Sequence, residues 1–316
     1  MARRGGGCLT AVAIVLGIAL VALGAGLVWL VSSSDSGTPP AVERDDQLVP
    51  RAFQDYSWDE LSQVADLVAA APSDEEGASV AATYNVSVGS ARTFELDDGS
   101  VTRLTVVGIR HDDRADGSGK AGLTLMTSPI AERPMNSSGT SDGGWGSSEL
   151  RSWLATDGLD LLPDELAAAL VPVSKLTNNV GVTSDPASVS ATEDALWLFS
   201  AAEVCGPIDW FASEYGTEPN AYTGYIDFAP YDALLSAEGT QYEYFSAAGV
   251  TGSSDPSHVL QQALAGQDVA WWYRSAYPFT YTGDDATYFY QVMATGFPGT
   301  TGLASQDAGV VAGLCL

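Results

Sequence analysis

Residues 270–275 read Ala-Trp-Trp-Tyr-Arg-Ser, which places two tryptophans beside an arginine in a chain with few basic residues. The composition is typical of a β-strand, in which successive side chains point to opposite faces. Trp271 and Tyr273 then lie on one face, and Trp272 and Arg274 lie on the other. Such a concentration of large aromatic side chains predicts a strand that belongs to the core.

A second block of similar composition spans residues 143–154, Gly-Gly-Trp-Gly-Ser-Ser-Glu-Leu-Arg-Ser-Trp-Leu. Its later half favours a short helix, on which Leu150 and Trp153 share a face with Arg151 beside them. An arginine in such surroundings can stack on an indole ring and bind backbone carbonyls or a carboxylate. We therefore expect the two blocks to be core elements that meet in space. The side chains assigned to this structural motif are Trp145, Arg151, Trp153, Trp197, Trp271, Trp272 and Arg274.

The alternative interpretation of the aromatic side chains is a surface platform for a sugar ring. Residues 205–237 have the character of a variable insertion, and their tyrosines are the candidates for exposed rings. These candidates are Tyr215, Tyr222, Tyr225 and Tyr231.

Local sequence patterns predict the fold class. Ser57 and Glu60 form a capping box before apolar residues at helical spacing. Alternating residues on either side of Asp98-Gly99 predict a β-hairpin. Further strands are predicted at residues 121–128, 195–199, 269–274, 287–296 and 308–316, and further short helices at 149–153 and 163–170. The expected fold is therefore α+β, a mainly antiparallel sheet with several short helices and long loops.

Seven stretches, taken in order, carry a resemblance to a known family. They lie at residues 108–128, 135–154, 161–177, 195–204, 238–245, 271–275 and 309–316, and include Met-Asn-Ser-Ser-Gly at 135–139 and Glu-Gly-Thr-Gln-Tyr-Glu-Tyr-Phe at 238–245. Together they resemble a family of bacterial extracytoplasmic domains, the domain of unknown function numbered 6273, over roughly Trp58 to Leu316. The resemblance implies a surface or secreted context and no settled activity.

A more distant similarity concerns the Trp-Trp-x-Arg-Ser strand and the closing Gly-Val strand. It implies a fold like those of C-type lectins and formylglycine-generating enzymes, and fold-level analogy of this kind says little about function. The chain departs from these relatives in two respects. Ala276 stands where family members often have proline, and the paired cysteines of the oxidase-like relatives are missing.

The N-terminal region predicts a membrane anchor. Residues 9–31 form an uncharged, apolar run. A helix of this length can cross the hydrocarbon core of a membrane. Arg3 and Arg4 precede this run, so the positive-inside rule places the N-terminus in the cytoplasm. We therefore expect a cytoplasmic segment at 1–8, a transmembrane helix at 9–31, a flexible tether at 32–55 and an extracytoplasmic domain at 56–316, held at the plasma membrane. Cleavage of the helix after the serines at 32–34 is the alternative.

The charge and the motifs limit the partners and cofactors. The 13 Lys and Arg residues against 40 Asp and Glu residues give a net charge of −27, which repels nucleic acid. With two histidines and three cysteines the chain has too few ligands for an evident zinc site. The polar stretch His111–Lys120 does not fit a calcium loop and instead predicts a strand that ends in a tight turn. No phosphate loop, dinucleotide fingerprint or hydrolase elbow occurs, so no cofactor is expected.

Two cysteines lie on the outer side of the predicted anchor, whereas Cys8 lies at its inner edge. Paired cysteines in an oxidising compartment predict a disulfide between Cys205 and Cys315. The alternative is two separate buried thiols, because cysteine packs well in strands.

These patterns favour a membrane-tethered surface module that binds or adheres to a glycan or another cell-envelope partner. The alternatives are an extracytoplasmic enzyme whose site is assembled from Asp, Glu and Tyr, and a structural envelope protein. The binding module is preferred because the sequence contains neither a recognisable nucleophile–base pair nor a metal set.

Overall fold

The computed structural model describes residues 48–253, 255–280 and 287–316, which form two five-stranded sheets and two separate hairpins. The strands are β1 (Ala91–Glu95), β2 (Val101–Ile109), β3 (Leu123–Thr127), β4 (Glu132–Arg133), β5 (Val173–Asn178), β6 (Val189–Asp194), β7 (Leu196–Leu198), β8 (Gln262–Leu264), β9 (Gln267–Val269), β10 (Trp271–Ala276), β11 (Tyr288–Val292), β12 (Thr300–Leu303), β13 (Ala308–Gly309) and β14 (Ala312–Cys315).

Short helices connect and cover the strands. The α-helices are α1 (Trp58–Ala69), α2 (Asp74–Thr83), α3 (Glu149–Trp153), α4 (Asp164–Ala169), α5 (Ala201–Cys205), α6 (Trp210–Tyr215), α7 (Ala229–Ser236) and α8 (Glu243–Ala247). Single 3₁₀ turns lie at Phe53–Asp55, Trp145–Ser147, Leu159–Leu161, Pro186–Ser188 and His258–Leu260, and a π-helical turn at Leu154–Gly158 continues α3.

The C-terminal strands join the two sheets. The first sheet has the order β1-β2-β3-β14-β7, and its neighbouring strands are antiparallel. The second has the order β12-β11-β10-β13-β4 and contains one parallel pair, in which Trp271 of β10 lies opposite Gly309 of β13. Because β13 belongs to one sheet and β14 to the other, residues 308–315 fasten the sheets to each other.

Side chains on opposite faces of the sheets enter two hydrophobic clusters. In β2, Val106 packs in one cluster and Val107 in the other. In β10, Trp272 packs in the first cluster and Trp271 and Tyr273 in the second, as the alternation predicts. Strand β10 is therefore covered on both faces, and it is also the middle strand of its sheet.

Several local predictions are confirmed. Ser57 accepts a hydrogen bond from the Glu60 amide, and the Glu60 carboxylate accepts one from the Ser57 amide, so the capping box starts α1. The β1–β2 hairpin turns at Gly99, whose φ of +83° favours glycine, and Asp98 accepts a hydrogen bond from the Ser100 amide. The α+β class with antiparallel sheets and short helices is likewise confirmed.

The structure differs from the sequence prediction in the number of sheets. Two sheets replace the single expected sheet, because β10–β12 pair among themselves and not with β1–β3. The β5–β6 hairpin was not predicted, since its residues lack a clear apolar alternation. The predicted span at 9–31 lies outside the described residues, and within the described ones no helix is long and apolar enough to cross a membrane. At the described end of the predicted tether, Phe53 is buried in the first cluster.

Candidate functional site

In the structure, a single carboxylate binds both Trp145 and Arg151 of the block at residues 143–154. Asp194, at the end of β6, accepts hydrogen bonds from the Trp145 indole at 3.1 Å and from Arg151 Nε at 2.6 Å. Trp145 is fully buried, whereas the Arg151 side chain is 29% exposed. Arg151 thus anchors α3 to the β5–β6 hairpin and does not enter the centre of the protein.

The two Trp/Arg blocks meet through Arg133 of β4. The Arg133 guanidinium lies 4.4 Å from the centre of the Trp153 ring, and the Arg133 carbonyl accepts a 2.8 Å hydrogen bond from the Trp272 indole. Trp145 and Trp272 also share the first hydrophobic cluster. The sequence did not point to Arg133, because a single arginine in a loop-like context carries no pattern.

Trp197 of β7 lies against the backbone of β14. A Cβ atom added to Gly313 would lie 2.6 Å from the Trp197 ring, so only glycine allows the ring to lie there. The Lys175 ammonium group lies 4.8 Å from the centre of the same ring. Trp197 therefore borders a second group of buried charges, which is centred on Arg274.

The guanidinium of Arg274 is fully buried and makes hydrogen bonds on all sides. It binds both carboxylate oxygens of Glu203 and the Thr177 hydroxyl, the latter at 2.7 Å. It also donates to three backbone carbonyls at 2.8–3.0 Å. These carbonyls belong to Leu176, Leu198 and Glu238. Arg274 consequently ties β10 to β5, β7 and the segment after α7.

A second cation, Lys175, connects Glu203 to Asp112. Lys175 Nζ lies 2.5 Å from Glu203 Oε1 and 2.6 Å from Asp112 Oδ1. The Asp112 carboxylate also accepts hydrogen bonds from the Tyr242 hydroxyl and, at 2.6 Å, from the Thr124 hydroxyl. We refer to Asp112, Lys175, Glu203 and Arg274 as the buried ionic network.

The charges of this network stabilise one another. Burial would raise the pKa of Asp112, but the charges of Lys175 and His111, together with hydrogen bonds from Lys175 and Thr124, lower that pKa to about 2. Burial would likewise raise the pKa of Glu203, and Arg274 and Lys175 lower it. Two cations therefore face two anions, which is the arrangement that makes burial of charge tolerable.

Glu238 lies beside the network without a cation of its own. Its carboxylate accepts hydrogen bonds from the Ser275 hydroxyl and from the Asn178 amide, the latter at 2.9 Å. Burial raises the pKa of Glu238 to about 7, and these hydrogen bonds only partly oppose the effect of burial. Glu238 is thus a buried acid whose pKa lies near neutral pH.

His111 lies at the outer edge of these groups. Its ring stacks on Tyr242 with 4.1 Å between the ring centres, and its Nδ1 atom lies 3.5 Å from Glu243. Burial would lower the pKa of His111, but the hydrogen bond that its ring donates to the Glu243 carboxylate and the charge of Asp112 raise it. A cation on His111 is therefore favoured next to this acidic group.

The buried ionic network organises the fold and is closed to substrates. The side chains of Asp112, Lys175, Glu203 and Arg274 are at most 4% exposed, so a solute cannot reach them. Sequence reasoning missed Asp112, Lys175 and Glu203, because each lies in a different stretch of the chain.

A surface cavity of about 350 Å³ has four aromatic side chains in its lining. We call it the aromatic pocket. Its lining residues are Trp210, Glu214, Tyr215, Tyr277, Tyr290, Gly299, Thr300 and Thr301.

The rings of the aromatic pocket are held in place by their neighbours. Trp210 and Tyr290 lie 4.5 Å apart between ring centres, and Tyr277 lies 5.5 Å from Tyr290. The Trp210 indole donates a 2.7 Å hydrogen bond to the Gly252 carbonyl. A Cβ atom at Gly252 or Gly299 would lie 2.8–3.0 Å from the Trp210 ring, so glycine at both positions leaves room for the indole.

The sequence pattern of a described protein family matches residues 121–316, which confirms the family that the seven stretches indicated and begins later than the expected Trp58. The chain belongs to the DUF6273 family, a domain of unknown function. No curated protein and no solved structure matches the chain. The expected similarity to C-type lectins and formylglycine-generating enzymes is thus not confirmed.

The DUF6273 match contains the whole aromatic pocket and most of the buried ionic network. Lys175, Glu203 and Arg274 lie inside the matched range, and each belongs to one of the stretches that carried the resemblance. Asp112 precedes the range. Because Asp112 also lies in one of the stretches, at 108–128, four of the seven stretches contribute a residue to the network.

Only one of the predicted platform tyrosines lines the pocket of this DUF6273 chain. Tyr215 does so, whereas Tyr231 packs against Phe211 at 5.0 Å. Tyr222 and Tyr225 are 87% and 73% exposed and lie outside the lining. Trp210, Tyr277 and Tyr290 were not predicted, because they come from segments that only the fold brings together.

The predicted disulfide of the DUF6273 domain is not formed. Cys205 and Cys315 are both free and buried, and they pack in different hydrophobic clusters. Cys205 Sγ lies 3.6 Å from the Tyr273 hydroxyl, whereas Cys315 Sγ lies 3.5 Å from the Thr124 hydroxyl. Each sulfur therefore has its own partner, which corresponds to the alternative of two separate thiols.

Proposed function

We propose that this DUF6273 protein is a membrane-anchored surface module that binds a cell-envelope glycan in the aromatic pocket. The observation that supports the proposal is the cavity of about 350 Å³, with four aromatic side chains and two threonines in its wall. Aromatic rings offer apolar faces to the C–H groups of a sugar, and nearby hydroxyl and carboxylate groups can bind its hydroxyls. A concave site of this composition can hold a sugar in one orientation without forming a covalent bond.

The N-terminal sequence supports the membrane location. The apolar run at 9–31, preceded by Arg3 and Arg4, directs the domain to the outer side of the plasma membrane. A domain placed there can contact envelope polymers. Binding them requires no catalytic group. Arg274 of the buried ionic network holds β10, the strand that directly precedes Tyr277 of the pocket.

The proposal can be tested by closing the pocket. Thr301 is exposed and lies opposite Tyr290 on the neighbouring strand, so Thr301→Arg places a long side chain in the cavity. Ser305→Arg is the matched control, because Ser305 is also exposed, follows the same strand and does not line the pocket. The full-length chain, purified in detergent, is measured for retention on purified cell-envelope glycan.

We expect Thr301→Arg to weaken retention by at least about tenfold, which is 1.4 kcal/mol, and Ser305→Arg to leave it unchanged. Equal retention of both variants and the parent, at unchanged melting temperatures, would exclude the aromatic pocket as the binding site.

A further inference from the structure

The aromatic pocket contains negative charge that its own residues do not neutralise. Among the described residues that line it, Glu214 is the charged side chain, and neither lysine, arginine nor histidine is present. Residues 205–237, which supply Trp210, Glu214 and Tyr215, contain five acidic residues and no basic one. A neutral sugar does not require such an imbalance, and an anion would be repelled by it.

The wall of the pocket adds to this negative potential. An aromatic ring carries partial negative charge on its face, so the three partly exposed rings of the lining, Trp210, Tyr215 and Tyr277, favour a cation in contact with them. The negative charge around the pocket also affects the pKa of the Tyr290 hydroxyl. Burial is the main cause that raises the pKa of Tyr290 well above its ordinary value, and Tyr277 and then Asp232, Glu238 and Glu214 raise it further.

The charge of the whole chain acts in the same direction. A net charge of −27 attracts cations towards the surface and repels anions. At the pocket this long-range attraction leads to a site where rings and a carboxylate can replace the water around a cation. Rings and an unpaired acid together are the usual arrangement for recognising substituted ammonium groups.

Resting on the proposed function, we infer that the group bound in the aromatic pocket is a cationic ammonium group carried by the envelope ligand. The rings contact its apolar surroundings, and Glu214 offsets its charge. The same chemistry could be presented by a free small cation, so the experiment has to distinguish the two sources.

Two oligosaccharides with one backbone provide the test. The chitosan tetramer carries ammonium groups where the chitin tetramer carries neutral acetamide groups. Binding of both to the full-length chain in detergent is measured by calorimetry, at a pH below the pKa of the amine. Salt of about 0.5 M shortens the screening length to a few ångströms, so that attraction by the distant surface charge is suppressed.

We expect the chitosan tetramer to bind at least about tenfold more tightly than the chitin tetramer, given the strength of a desolvated cation–π contact. Glu214→Gln should reduce this preference several-fold, by up to about tenfold. Glu218→Gln is the matched control, because Glu218 is exposed in the same segment and lies outside the pocket. Tetramethylammonium, added as a competitor, shows whether a free cation occupies the site as well as the polymer-borne group.

Equal or tighter binding of the chitin tetramer would overturn the inference and leave the proposed function intact. Failure of chitosan and tetramethylammonium to bind would also overturn it. The proposed function fails separately, if Thr301→Arg does not weaken retention on envelope glycan.

Discussion

Replacing Arg274 with methionine removes the central cation of the buried ionic network while keeping an apolar side chain of similar length. Glu203 then loses both bonds to the guanidinium, and three backbone carbonyls lose a donor. Lys175 remains beside Glu203, but it is shared with Asp112. Two buried anions therefore face a single buried cation.

The cost follows from this imbalance. Removing one partner of a buried ion pair lowers the free energy of unfolding by about 3–5 kcal/mol, before the unsatisfied carbonyls are considered. For a domain of this size each kcal/mol lowers the melting temperature by about 2–4 °C, so Arg274→Met should melt about 6–20 °C below the parent. Near-ultraviolet circular dichroism follows the loss of packing around the tryptophans.

A double variant separates the ionic effect from the loss of packing. Glu203→Gln with Arg274→Met leaves Lys175 and Asp112 as a balanced pair. The double variant should therefore be more stable, by at least about 1 kcal/mol, than the sum of the single effects predicts. Arg103→Met is the control, since Arg103 is exposed and should be replaceable at little cost. If Arg274→Met melts within 2 °C of the parent, or if the two effects add without coupling, the buried network does not stabilise the fold as argued.

Two further predictions concern titratable groups in the core. Because burial raises the pKa of Glu238 from 4.5 to about 7, the folded chain holds a proton there that the unfolded chain has lost between these pH values. Its contribution to stability is therefore fully present below about pH 4.5 and is lost as the pH rises through about 7, a loss of roughly 3 kcal/mol. The free energy of unfolding of Glu238→Gln should lack this pH dependence, and an unchanged dependence would assign it to another group. Burial raises the pKa of Cys205 to about 12 and that of Cys315 well above its ordinary value, so both should resist alkylation in the folded chain and react in denaturant without a reductant. Resistance in denaturant until a reductant is added would indicate a disulfide and contradict the structure.

Local features of the sequence were sufficient wherever the interacting residues are neighbours in the chain. The capping box at Ser57 and Glu60 predicted the start of α1, since both partners lie within one helical turn. The alternation in residues 271–274 predicted which side chains share a face, because that depends only on the geometry of a single strand. The stretches typical of DUF6273 identified the family for the same reason, as each is a continuous segment.

The pairing of charges and the assembly of the pocket depended on the tertiary structure. Glu203 could have paired with any cation of the chain, and only the packing of α5 against β10 and β5 selects Arg274 and Lys175. A disulfide between Cys205 and Cys315 was consistent with the sequence, but the sheets place the two sulfurs in different clusters. The aromatic pocket likewise combines α6 with residues from β11 and β12. Local sequence determines which face of an element is apolar, whereas long-range packing alone determines which distant side chains come within a few ångströms of one another.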